Sequence, residues 1–154
     1  MSTAIPLVLN LAPHTQLAAD LVLPENPHGI IIFAHGSGSS RLSPRNQYLA
    51  KALKAAGFAS MLLDLLTVEE ERIDLTTREF RFNILLLAER LEHAACWVEK
   101  LSELKNLPKG YFGASTGAAA ALIAAARQPK MIRAVVSRGG RPDLAGDFLE
   151  RVEA

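Results

Sequence analysis

The run IIIFA, Ile30–Ala34, is apolar at every position, and this constrains the fold more than any other feature of the chain. A strand that faces water on one side alternates apolar with polar residues. A strand apolar on both faces must be covered on both, which is the environment of a parallel sheet with helices on either side. FASMLLDLL from Phe58 and MIRAVVS, Met131–Ser137, have the same character. The segments between them carry helical spacing. In PRNQYLAKALKAAG the apolar residues Tyr48, Leu49, Ala52, Leu53 and Ala56 share one side, Ser43 caps the start, Pro44 opens the first turn and Gly57 ends it. Alternation of strand and helix predicts an α/β fold: a mostly parallel sheet with helices on both faces.

The remaining segments fit that frame. IPLVLNL and QLAADLVL read as two opening strands joined by the turn APHT. The charged stretch TVEEERIDLTTREFRF leads to the longest helix, about residues 83–104, with Ile84, Leu87, Leu91, Ala94, Val98 and Leu101 as its apolar stripe. Glu89, Arg90, Glu92, Glu99 and Lys100 take the solvated side, and EEER reads as a solvated charge run. KGYFGAS is a short strand, TGAAAALIAAARQ a helix, and DLAGDFLERVEA the start of another.

Composition removes several classes of function. With 154 residues the chain is expected to form one domain, residues 1–154. A net charge of +1 argues against nucleic acid and anionic membranes as partners. AAAALIAAA is only about half of the ~18 apolar residues that a membrane span needs, and the N-terminus lacks the marks of a signal peptide. The single cysteine, Cys96, allows no intrachain disulfide, so the cytoplasm is the expected location. Cys96 reads as an inert core thiol.

Two loops carry candidate chemistry. Gly113-Ala114-Ser115-Thr116-Gly117 lies where a strand passes into a helix. A serine there stands on a sharp turn at the C-terminal edge of a sheet, before a helix N-terminus that favours negative charge. The flanking glycines let neighbouring backbone approach. The bland reading is a strand-to-helix turn in which Ser115 only caps the helix. His35-Gly36-Ser37-Gly38-Ser39-Ser40 follows the buried strand IIIFA, where a second donor for an oxyanion is expected. The N–H groups of Thr116 and Ser37 are the expected oxyanion-hole pair, with Gly38 as the neighbouring alternative. His35 reads as a brace for the loop rather than a base, and Asp64 as a residue that fixes the loop beside the site. No G-x-x-x-x-G-K-[ST] is present, and GSGSSR lacks the third glycine of a dinucleotide loop. No cofactor or metal is expected.

FAHGSGSSRLSPRNQYLAKALKAAGFASMLLDLLTVEEE, RFNILLLAERL, GYFGASTGAAAAL and VVSRGGRPDLAG, in that order, resemble the dienelactone hydrolase-related branch of the α/β-hydrolases. They are similar in particular to small bacterial hydrolase domains that are sometimes fused to a phosphoribosyltransferase. The resemblance implies an α/β-hydrolase fold, Ser115 as nucleophile and a small-molecule ester or acyl substrate. Dienelactone hydrolases proper carry a cysteine where this chain has Ser115.

The family order is nucleophile, acid, histidine. His14, His28, His35 and His93 all precede Ser115. The resemblance therefore implies a domain incomplete at its C-terminus, lacking the last strands and helices together with the triad acid and histidine. As an isolated chain it is expected to be inactive or weak. The alternative is a non-catalytic remnant that binds a ligand or partner in the same cleft. Asp143 reads as a helix cap, and Arg127, Arg133, Arg138 and Arg141 as solvated loop charges. Residues 131–137 would lie at a sheet edge, where an apolar strand invites self-association.

Overall fold

In a computed structural model of the chain, residues 4–154 are described. Six strands, β1 (Ile5–Ala12), β2 (Thr15–Val22), β3 (Gly29–Ala34), β4 (Phe58–Leu63), β5 (Lys109–Ala114) and β6 (Ile132–Arg138), form one sheet in the order β1-β2-β4-β3-β5-β6. β1 and β2 pair antiparallel, and β2 meets β4 antiparallel. From β4 through β3 and β5 to β6 every pairing is parallel.

The buried strand IIIFA becomes β3, in the middle of the parallel part. Its alternate residues serve opposite faces, as a strand requires. Ile30, Ile32 and Ala34 join the larger core with Met61, Leu91 and Tyr111. Ile31 and Phe33 join the smaller one with Leu62 and Phe112. Helix α1 (Pro44–Ala55) covers the smaller core, while α3 (Ile84–Val98) and α4 (Thr116–Arg127) cover the larger. Ser43 Oγ accepts from Asn46 N and Pro44 occupies the first helical position, as read from the sequence.

The chain leaves β3 on one side to reach β4 and then crosses β3 to reach β5. That reversal opens a crevice at the carboxyl ends of β3 and β5, the place where open α/β sheets bind ligands. Both Gly/Ser loops emerge there.

Several sequence expectations need correction. The charged stretch before the long helix contains a helix of its own, α2 (Val68–Thr77), closed by a capping box between Thr67 and Glu70. The long helix ends at Val98 rather than near residue 104, and the chain turns through Leu101 to Leu107 instead. Arg90 is buried, and EEER is not wholly solvated: Glu70 binds Arg90 through both carboxylate oxygens, at 2.6 and 2.9 Å. Cys96 is exposed. Helical spacing placed it near the apolar stripe, but the stripe that packs runs through Leu87, Leu91, Ala94 and Val98, leaving Cys96 at its edge.

At the C-terminus β6 is the outer strand of the sheet, and the tail forms a 3-10 stretch, Pro142–Arg151, against α4. Asp143 does not cap it. Arg141 holds the cap position and binds the Asp143 carboxylate at 2.8 and 3.0 Å. The four arginines are not simply solvated loop charges: Arg127 ends α4 and pairs with Glu92, Arg133 and Arg138 lie on β6 with Arg138 over the Phe112 ring, and Arg141 is committed to Asp143.

Candidate active site

Ser115 follows β5 and immediately precedes α4. Its backbone has φ 53° and ψ −123°, a conformation that side chains of ordinary handedness avoid. Something must hold it there, and the neighbouring glycines show what. A Cβ on Gly113 would lie 2.4 Å from Ala118 Cα, so β5 and α4 touch backbone to backbone. A Cβ on Gly117 would lie 2.3 Å from the Ala34 carbonyl oxygen and 2.5 Å from that of His35. The first turn of α4 is thereby pressed against the end of β3. The Ser115 side chain makes no capping bond to α4, which removes the bland reading of this serine as a helix cap.

The loop after β3 meets this turn directly. A Cβ on Gly36 would stand 3.2 Å from Ser115 Cβ, so that glycine is the near wall of the site. Ser37 Oγ and Thr116 Oγ1 are 2.9 Å apart and share a hydrogen bond across the crevice. The structure thus brings Ser37 to Ser115 and Thr116, from which it lies far apart in the sequence. Among the described residues, neither the Ser37 nor the Thr116 N–H has a protein acceptor. Gly38 has a positive φ of 72° and the Ser39 N–H returns to the Gly36 carbonyl at 3.1 Å, which closes the loop into a tight turn.

Two braces hold that loop to the end of β4. His35 is buried; its Nε2 accepts from Leu65 N at 3.0 Å, which assigns the proton to Nδ1 for the 2.9 Å bond to the Gly36 carbonyl. Burial disfavours the charged imidazole and outweighs the Gly36 carbonyl and the nearby carboxylates, so its pKa lies below the ordinary histidine value. With both nitrogens committed, His35 is not placed to take a proton from Ser115. Asp64 supplies the second brace, accepting from Arg41 N at 2.6 Å and from the Arg41 guanidinium at 2.7 Å. Arg41 Nε lies 3.3 Å from Asp20 Oδ2.

Sequence reading passed over Arg41 and Arg81. Arg81 binds the buried Asp74 carboxylate at 2.7 Å and lies along a small cavity of about 60 Å³, beside Ser37 and Thr116. That is room for about two water molecules. The only signal for either residue was a basic side chain near a loop, which is too common to single one out.

The other histidines lie elsewhere. His28 packs on Gly57 and Phe58 at the amino end of β4, opposite the crevice. His14 sits in the β1–β2 turn, and His93 on α3. Among the described residues, no group of three or more His, Cys, Asp or Glu side chains could hold a metal ion. None of their helices is long and apolar enough to cross a membrane.

Residues 29–153 match the family model for the alpha/beta hydrolase fold. The chain belongs to the α/β-hydrolase family. Within it, a dienelactone hydrolase from Anabaena variabilis is 52% identical in sequence, with a TM-score of 0.95 over 99% of this α/β-hydrolase chain and 70% of that one. Proteins of Mycobacterium tuberculosis that carry the name phosphoribosyl transferase are 57% identical over 144 residues, which is 94% of this chain and 32% of theirs. The chain therefore spans about a third of the length of the curated relatives it matches. A carboxyl esterase from Bacillus coagulans shares the fold at 19% identity, with a TM-score of 0.68 over 89% of this chain and 44% of that one. The dienelactone-hydrolase-related likeness read from the ordered motifs stands, and the sheet is six-stranded.

Proposed function

We propose that this chain carries the nucleophile and oxyanion hole of a serine-dependent hydrolase acting on a small-molecule carboxylic ester or related acyl bond. The observation that carries the reading is the strained backbone of Ser115, held by glycines whose replacement would drive a side chain into backbone. Strain of this kind persists where surrounding structure over-determines it, and it clusters at working sites.

In the proposed reaction Ser115 Oγ attacks the acyl carbon as its proton passes to hydroxide from solvent, and the carbonyl oxygen becomes an oxyanion held by the N–H groups of Thr116 and Ser37. The N-terminal end of α4 adds a favourable field for that charge. Collapse expels the alkoxide, which takes up a proton, and leaves an acyl group on Ser115 for water to remove. A cytoplasmic setting is part of the proposal and fits the single cysteine.

The chain's own histidines supply no base to Ser115, so its hydroxyl stays protonated near neutral pH. Without one, turnover should fall by roughly a millionfold from that of a complete triad. A second reading, a cleft that binds a ligand or partner without turning it over, draws on that same missing base. One assay separates the two: p-nitrophenyl acetate hydrolysis by the wild type and Ser115→Ala, from about pH 6 to about pH 9. The hydrolase reading expects a small Ser115-dependent rate that climbs about tenfold per pH unit, because hydroxide does the base's work. Identical rates in the two proteins support the binding reading instead.

A further inference from the structure

Ser37 carries a hydroxyl as well as an N–H, and the hydrogen bonds around it fix where the hydroxyl proton goes. The Ser39 N–H returns to the Gly36 carbonyl at 3.1 Å, and Gly38, third in this turn, has a φ of 72°. That is the pattern of a type II turn, which makes no use of the N–H of its second residue, here Ser37. His35 Nδ1 donates to the same Gly36 carbonyl at 2.9 Å, so the turn is held in place before any substrate arrives.

Thr116 is only 3% exposed, and among the described residues its hydroxyl has one side-chain partner, Ser37 Oγ at 2.9 Å. A buried hydroxyl whose proton finds no acceptor is costly. Thr116 is therefore the donor of this pair and Ser37 Oγ the acceptor. The Ser37 proton is thereby turned away from Thr116. The acceptor it meets is the Arg81 carbonyl at 3.5 Å, beyond the ~2.5–3.0 Å of a good O–H···O bond. Ser37 is exposed at the crevice, so its proton is a donor in want of an acceptor.

We infer that the Ser37 hydroxyl is a further donor to the oxyanion, beside the N–H groups of Ser37 and Thr116; the inference rests on the hydrolase reading above. The N–H and Oγ of one serine are close enough along the covalent chain for a single substrate oxygen to accept from both. Gly36 keeps the turn against the nucleophile, since a Cβ there would stand 3.2 Å from Ser115 Cβ. The bond from Thr116 polarises the Ser37 hydroxyl and strengthens it as a donor. Its resting contact with Arg81 is long, so little is lost when the proton turns to the substrate. An ester carbonyl accepts weakly and an oxyanion strongly, so this donor favours the transition state over the bound ester. Thr116 Oγ1 is the residue that positions it.

The test is the Ser115-dependent rate of p-nitrophenyl acetate hydrolysis at about pH 9, with the Ser115→Ala rate subtracted. Ser37→Ala keeps the backbone donor and removes only the hydroxyl. Its kcat should fall at least about tenfold, with KM within about twofold of the wild type. Ser37→Thr, which restores a hydroxyl, should stay within about threefold of the wild-type kcat. Ser37→Ala also strands the Thr116 hydroxyl, so the double variant Ser37→Ala/Thr116→Val should recover the urea midpoint but not the rate. An undiminished kcat in Ser37→Ala, a Ser37→Thr as slow as Ser37→Ala, or a double variant that regains the wild-type rate would each overturn the inference while leaving Ser115 as nucleophile. A wild type with no Ser115-dependent rate would overturn the hydrolase reading, and this inference with it.

Discussion

Gly117→Ala is expected to destabilise the chain by about 3 kcal/mol, the upper end of what over-packing costs. The added methyl would meet the carbonyl oxygens of Ala34 and His35 at 2.3 and 2.5 Å, and both are backbone atoms that no rotamer change can move. Relief requires α4 to withdraw from the end of β3, and that movement would also pull Thr116 away from Ser37. Gly139→Ala is the control. Gly139 has a φ of 51° with nothing within 4 Å of an added Cβ, so only backbone strain remains, worth about 1 kcal/mol. Urea midpoints of the two variants separate contact from conformation. Equal losses would mean that the elbow does not depend on the close approach at Gly117.

Arg90→Leu is expected to cost about 3 kcal/mol at neutral pH, as removing one member of a buried pair does. Arg90 is 8% and Glu70 20% exposed at the side chain, so neither is a surface ion. The substitution strands the Glu70 carboxylate and removes the donor to the Leu65 carbonyl at 3.3 Å. Burial alone would raise the Glu70 pKa, but the Arg90 guanidinium and the Thr67 cap outweigh it and hold it below the ordinary carboxylate value of 4.5. A carboxylate depressed on folding contributes stability that is complete above its unfolded pKa and disappears as pH falls through the folded one. The gap between wild type and variant should therefore narrow below about pH 4.5. A gap that holds constant into acid would show that packing of the arginine stem, rather than the ion pair, carries the effect.

How much of this was legible in the sequence depended on whether a residue's neighbours were local. The parallel sheet could be read because IIIFA is apolar at every position, and the cap at Ser43 because its partner is three residues away. The turn at Ser115 could be read because its glycines sit beside it. The helix of Val68–Thr77 was missed for the opposite reason: its pattern carries little apolar periodicity, and its anchor, Arg90, lies on another helix. Arg90 looked solvated for the same cause, since only the fold reveals Glu70 twenty residues away. His35 was read correctly as a brace, but its partner Leu65 could not have been named from the sequence. The meeting of Ser37 with Thr116 across the crevice depends on β3 and β5 being neighbours, a fact of topology rather than of spacing.

The most direct measurement is alkaline labelling with a fluorophosphonate, followed by peptide mapping of the wild type and Ser115→Ala. Attack forms an O–P bond as fluoride leaves and the serine proton passes to solvent. A hydroxyl held at an oxyanion hole should react ahead of every other one in the chain, even without a base. The expected result is slow modification confined to Ser115, faster as pH rises and absent from the variant. Label spread over other serines and tyrosines with no preference for Ser115, or identical labelling of the two proteins, would contradict its assignment as the nucleophile.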